Sequence, residues 1–225
     1  MMSTEHDFSR TSEQFAWIAA DLAKVNRSVT PWIVMAGHRP MYVSSADATS
    51  PRSDMVIAKF MREELEDLLH QYQVDVFFAG HHHDYQRTCP VYNGTCIYAA
   101  SPVDEFDISA SSSSSSSSSN FGTVHILTGA SGQWNNVGLS NITFDWLEFG
   151  EDFYHGYNRV RVRGDTLTIE FVASHNRAII DSVTIRKNRG RANRSINKLQ
   201  QDKRGKEEVV KAIELDSTEL TIFDI

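Results

Sequence analysis

The sequence predicts an α/β fold whose first half alternates helices with short buried strands and whose second half is β-rich. Three observations lead there. Two apolar runs, Trp32 to Ala36 and Val74 to Ala79, are too brief for helices; an amphipathic stretch lies between them; and strand-like segments without a long intervening helix follow Cys96. The 225 residues, 40% of them hydrophobic, suffice for one domain with a core and an appendage. Lysine and arginine total 22 against 29 acidic residues, for a net charge of −7, which argues against nucleic acid as a partner. No apolar run approaches the roughly 18 residues that cross a bilayer, so no membrane span is expected. The opening MSTEHDFSRTSEQ lacks the apolar core of a signal peptide.

The elements follow in order. Phe15, Ile18, Ala19 and Leu22 stand at helical spacing, and Thr11 followed by Gln14 has the capping-box pattern, so a helix is expected over 11–25. Thr30 and Pro31 break it, and the run 32–36 reads as a strand buried on both faces that stops at Gly37-His38. The polar segment Val43 to Ser53, with Pro51, reads as a loop. From Asp54 to about Tyr72, Ile57, Met61, Leu65, Leu68 and Leu69 share one helical face. The run 74–79 is a second strand, ending in Gly80-His81. Strand, helix, strand describes a right-handed crossover between parallel neighbours, which sets both Gly-His pairs at one carboxyl edge, where ligands of α/β sheets gather. Thr123 to Thr128, Tyr157 to Arg163, Thr166 to Val172 and Ile180 to Ile185 read as strands, with Gly164-Asp165 as a two-residue hairpin turn. That turn also spells Arg163-Gly164-Asp165, an adhesion tripeptide elsewhere, but the turn explains it.

Cys89 and Cys96 bracket CPVYNGTC, a spacing that fits a hairpin disulfide around Asn93-Gly94, with two reduced thiols as the alternative. Asn-x-Ser/Thr glycan acceptors stand at Asn26, Asn93, Asn141 and Asn193. Together these features favour a secretory location despite the missing leader. Nine serines, Ser111 to Ser119, read as a flexible insertion, and the tail after Arg186, with nine basic and seven acidic residues, as disordered or loosely helical.

Chemistry concentrates in Gly80-His81-His82-His83-Asp84-Tyr85. On an extended exit from a strand, His81 and His83 would point the same way and His82 elsewhere. With His38 they are candidate metal ligands, imidazole being the common nitrogen donor for zinc and iron. His70, His125 and His155 read instead as satisfied structural histidines. Arg39 could touch a phosphate or make a structural ion pair.

TPWIVMAGHRPMY, FFAGHHHDYQR and GTVHILTGASG resemble consecutive motifs of the purple acid phosphatases, within the calcineurin-like metallophosphoesterases. The resemblance runs from about Ser3 to Lys187 and is expected to cover only the carboxyl-terminal half of the family's catalytic domain. It implies a partial metallophosphoesterase sandwich of mixed β-sheets flanked by helices, divided here as 1–108 (catalytic half-domain), 109–120 (serine-rich insertion), 121–186 (β-rich region) and 187–225 (tail). It also implies phosphomonoester hydrolysis at a binuclear centre of iron plus a divalent metal (iron, zinc or manganese). His38 and His81 match ligands of the divalent metal and His83 the iron ligand, while the proton-donor histidine is expected upstream of this chain. In such a centre a metal-bound hydroxide attacks phosphorus in line. The bridging aspartate, the tyrosine and the Asn-His ligands of the family have no counterpart here, so the centre is expected to be incomplete. Gln86 replaces the glutamate of the common Tyr-Glu-Arg ending.

Overall fold

The computed structural model describes residues 1–46, 53–97, 105–107, 121–132, 139, 143–187 and 219–222. Helix α1 (Glu13–Ala23) is capped by Ser12, whose hydroxyl accepts the Phe15 N–H at 3.1 Å. Thr11 is therefore not the cap. Gln14 serves a different end, its side-chain amide clamping both the N–H and the C=O of Ser3 at 2.7 and 2.9 Å.

Strand β1 (Val34–Ala36) precedes helix α2 (Asp54–Met61), a π-helical turn (Arg62–Glu66) and helix α3 (Asp67–Gln71), which together occupy the stretch read as one helix. Strand β2 (Val76–Ala79) then pairs with β1 in parallel, Val34 opposite Val76, as the crossover requires. Its side chains alternate: Val76 and Phe78 enter one core, Phe77 and Ala79 another. The buried Asp75 inside that apolar run accepts the Ile33 N–H at 2.7 Å and contacts Arg27 and Lys187, each at 2.6 Å.

Strand β3 (Tyr85–Tyr92) turns through Asn93-Gly94 into β4 (Thr95–Cys96). Both turn residues have positive φ, 50° and 70°, the signature of the hairpin turn that matches strand twist. After β5 (Glu105–Asp107) comes β6 (Thr123–Thr128), which inserts between β2 and β3, parallel to the first and antiparallel to the second. Strand β7 (Leu147–Glu151) pairs with β3 on its other flank. These six strands form the first sheet, with β1 at one end.

The second sheet runs β11-β8-β9-β10-β5, from β8 (Gly156–Arg163), β9 (Thr166–Ala173), β10 (Ile179–Arg186) and β11 (Glu219–Ile222). It is antiparallel except for the β10–β5 pair. Gly164-Asp165 makes the expected β8–β9 turn, with Gly164 at φ 57°.

Two cores hold three layers together. Ile18, Leu22, Met61 and Leu65 from the helices pack on Ile33, Met35 and Phe77 of the first sheet. Phe78, Tyr85 and Ile126 pack from its other face against Leu167, Ile169, Phe171 and Val183 of the second sheet. The architecture is the expected sandwich of mixed sheets with helices on the outside, β-rich toward the carboxyl end. Residues 219–222 lie in the charged tail yet form a strand on the β8 edge; the serine run, Asn141, Asn193 and the rest of the tail lie outside the described residues.

Candidate metal edge

The carboxyl ends of β1, β2 and β6 converge because the ladder continues past the strands. The Gly37 N–H donates to the Phe78 carbonyl at 3.0 Å, and the Gly80 N–H to the His38 carbonyl at 2.9 Å. His38 and His81 are thereby brought into contact, 43 residues apart in sequence, with His38 Nε2 3.0 Å from His81 Nδ1 and the rings edge to face.

The exit from β2 is not extended. His81 sits at φ 67°, and two further tight turns close as His82 N–H bonds the Gly80 carbonyl and Asp84 N–H the His82 carbonyl. Alternation along a strand therefore does not govern His81 and His83. The His82–His83 backbone lies against Gly129 at the end of β6, where an added Cβ would come within 2.2 Å of the His82 carbonyl oxygen. His82 points inward: it is buried, with Nδ1 3.0 Å from Asp84 Oδ2. Burial pushes its pKa down, but the hydrogen bond and charge of Asp84, aided by Asp54, outweigh this and hold it above the ordinary value.

His81 is enclosed by protein groups. Its Nε2 lies 3.0 Å from Asp54 Oδ1 and 3.0 Å from an Arg39 guanidinium nitrogen. Arg39 in turn binds Glu5 at 2.8 Å, while its backbone N–H donates to the Thr4 hydroxyl. Arg39 is thus a member of an ion-pair network at this edge. The His81 hydrogen bond holds the Asp54 carboxyl below its usual range, and the Arg39 hydrogen bond does the same for Glu5. Sequence reasoning missed both acids. Asp54 had a signal only as an acid in the first turn of a helix, and Glu5 had none.

The residues do not fit a binuclear centre. Both His81 ring nitrogens already face protein partners, one of them a guanidinium, which repels a cation. Among the described residues no group of three His, Cys, Asp or Glu donor atoms drawn from this edge lies within 4.8 Å of one another; the group that does is Cys89, Cys96 and Glu148. Those cysteines are joined in a disulfide across the β3–β4 hairpin, with Cα atoms 5.7 Å apart, and offer no thiolate.

Gln86 shows why glutamate is absent. Its Oε1 accepts the Ser44 N–H at 2.7 Å, while its Nε2 donates to the Ser44 carbonyl and to Asp84 Oδ2, each at 2.8 Å. A carboxylate could satisfy only the first of these. Gln86→Glu is expected to cost about 2 kcal/mol or more at pH 7, by setting a buried charge against Asp84, and to recover as pH falls and the new acid takes a proton. Thermal melts at neutral and mildly acidic pH check this.

Of the histidines read as structural, His70 bonds the Phe121 carbonyl at 2.7 Å and His155 the Ala130 carbonyl at 3.2 Å. His125 differs: it is buried on β6 and neither ring nitrogen has a hydrogen-bond partner. Asn26 and Asn93 are exposed. No helix among the described residues is long and apolar enough to cross a membrane.

Comparison with known proteins matches the calcineurin-like phosphoesterase family over residues 2–85 and the iron/zinc purple acid phosphatase-like protein C family over 122–182. The chain is 31% identical over 183 residues to probable inactive purple acid phosphatase 27 of Arabidopsis thaliana, covering 81% of this chain and 28% of that protein. It is 43% identical over 95 residues to purple acid phosphatase 23 of the same plant, covering 42% and 19%. The purple acid phosphatase PPD1 of yellow lupin superposes with a TM-score of 0.69 at 27% identity, over 82% of this chain and 30% of that one. GAP50 of Plasmodium, at 14% identity and a TM-score of 0.51, shares the fold. The chain thus spans about a quarter of the length of the curated relatives it matches. The expectation of a resemblance confined to a carboxyl-terminal half is corrected by these matches, because the general phosphoesterase family aligns from residue 2 and the carboxyl-terminal family separately from residue 122. The chain thus resembles the calcineurin-like metallophosphoesterases in its first part and the purple acid phosphatases in its second, and the two resemblances together run along nearly its whole length.

Proposed function

We propose that this chain is a phosphoesterase-superfamily member that does not hydrolyse phosphomonoesters as an isolated polypeptide. The observation that carries this reading is the engagement of both His81 ring nitrogens by His38, Asp54 and Arg39. His38, His81 and His83 remain the positions matching the family's ligands for iron and a divalent metal (iron, zinc or manganese), but three imidazoles without a bridging carboxylate leave two cations short of ligands and of negative charge. Acid phosphatase activity on phosphomonoesters is the ancestral chemistry the resemblance supports, and its loss fits the similarity to several Arabidopsis proteins named probable inactive purple acid phosphatases. The disulfide supports a secretory location.

Purified residues 1–225, incubated with iron and zinc or manganese, are expected to hydrolyse p-nitrophenyl phosphate at mildly acidic pH no faster than a His38→Ala, His81→Ala, His83→Ala variant. Turnover that depends on the histidines would overturn the proposal. The edge would then serve as a phosphate-ester enzyme site rather than as part of a binding or interaction module.

A further inference from the structure

We infer that Asn93 carries an N-linked glycan whose first sugar residues lie in the groove between the β3–β4 hairpin and the α2–α3 helices. Asn93-Gly94-Thr95 is one of the two acceptor sequences among the described residues, and all three of its residues are exposed at the turn. The contact made by Asn93 is through its backbone N–H, which donates to Glu66 Oε1 at 3.1 Å, so the side-chain amide is left to react. At the other acceptor, Asn26 Oδ1 accepts both the N–H and the hydroxyl of Ser28, at 3.0 and 2.7 Å, which ties that side chain to its own turn.

The groove beside Asn93 has a volume of about 520 Å³ and is lined by Asn93 itself, so a sugar attached there starts inside it. Its walls carry both signs of charge in balance: Arg10 pairs with Asp67 at 2.9 Å, Lys59 lies 3.7 Å from Glu63, and Arg62, over the Tyr42 ring, is close enough to Glu66 to act on its charge. A charged ligand would find no uncompensated partner. A neutral, hydroxyl-rich one can hydrogen-bond the paired groups without separating them, and N-acetylglucosamine has that chemistry. Tyr92, stacked on His70 with 3.9 Å between ring centroids and donating to Asp67 at 3.0 Å, provides an aromatic wall of the kind sugar rings pack on.

The root of the glycan is also held still. Asn93 N–H is fixed by Glu66, Gly94 N–H donates to the Tyr42 hydroxyl at 3.0 Å, and Cys89–Cys96 closes the hairpin. The π-helical turn places the otherwise helical Glu66 where it can reach Tyr42 and Asn93 together. The inference rests on the secretory location and not on the loss of phosphatase activity.

The test is to express the full chain behind a cleavable secretion leader in yeast or insect cells and to map acceptor peptides in both secreted and cell-retained pools. Peptide N-glycosidase in heavy-oxygen water marks each modified asparagine. Marking of Asn93 is expected. An unmarked Asn93 overturns the proposal; if Asn26 is then marked, the secretory location stands and the acceptor assignment alone fails. Seating in the groove is read by hydrogen exchange over residues 59–67, expected to be about threefold slower in the glycosylated protein than in a Thr95→Val variant. Equal exchange in a glycosylated sample would overturn the seating.

Discussion

Asp181→Ala is expected to lower the unfolding free energy by about 3–5 kcal/mol, because it removes the carboxylate that holds a buried, charged guanidinium through two bonds. Arg87 leaves β3 and enters the space between the two sheets, where its side chain is 1% exposed. Asp181, from β10, receives it through two parallel bonds, Nε to Oδ2 at 2.7 Å and a terminal nitrogen to Oδ1 at 2.9 Å. The Tyr85 hydroxyl donates to the same Oδ2 at 2.7 Å. Burial first, and the Asp181 charge second, push the Tyr85 pKa far upward, so the phenol stays protonated and remains a donor. Removing the carboxylate therefore strands two donors at once. A paired replacement, Arg87→Met with Asp181→Leu, should restore most of the loss, because apolar side chains of similar size remove both charges together. Urea denaturation of the disulfide-intact protein measures each variant, and an Asp181→Ala loss below about 1 kcal/mol would show that water reaches the pair.

The second large effect is a dependence of stability on acid, carried by His125. Burial, followed by the Arg62 charge, pushes its pKa down to about 3. The rings of Tyr42 and Phe77 lie 4.8 and 5.6 Å from it, centroid to centroid, and only the backbone N–H of His125, not its ring, donates to the Thr88 hydroxyl. In the unfolded chain the same imidazole takes a proton near pH 6.5. Between roughly pH 6.5 and pH 3 the unfolded state therefore binds a proton that the folded state refuses, and stability falls as pH falls, by up to about 1.4 kcal/mol per pH unit. Near pH 4.5 the accumulated loss is about 2–3 kcal/mol. His82 and Glu66, both with raised pKa values, act in the opposite sense: the folded state holds their protons more tightly, so their contribution to stability diminishes as pH rises. Comparison with His125→Leu isolates the one histidine. Denaturant midpoints from pH 7 to pH 4.5 should fall steeply for the parent chain and much less for the variant; parallel curves would remove His125 from the account.

Some of this was readable from local pattern, and the reasons are physical. A strand covered on both faces shows itself as a short unbroken apolar run, so Val76–Ala79 and its parallel neighbour were visible. The contact of His38 with His81 followed from two glycine-histidine pairs ending adjacent parallel strands. Strand β3 was hidden because its sequence, YQRTCPVY, includes a guanidinium whose partner lies 94 residues further on, and no local period reveals such a pairing. The same limit concealed Asp54 and Glu5, whose place at the edge depends on where α2 and the first residues dock. Strand alternation could not be carried past Gly80, because His81 takes a left-handed backbone, a conformation that residue type alone does not announce. The β11 segment lies in a polar tail and pairs through backbone groups on the β8 edge.

The insertion of β6 between β2 and β3 bears on how the chain reaches this state. Strand β3 follows β2 in sequence, yet the two never pair, because the slot between them is filled by residues 123–128. During synthesis β2 and the β3–β4 hairpin emerge first and must stay apart until a strand that begins well downstream, at Thr123, arrives to join them. Premature pairing of β2 with β3 is thus the natural wrong turn. Such a pair would have to open before β6 could enter, and until β6 arrives the unpaired strands are open to chaperones and to aggregation.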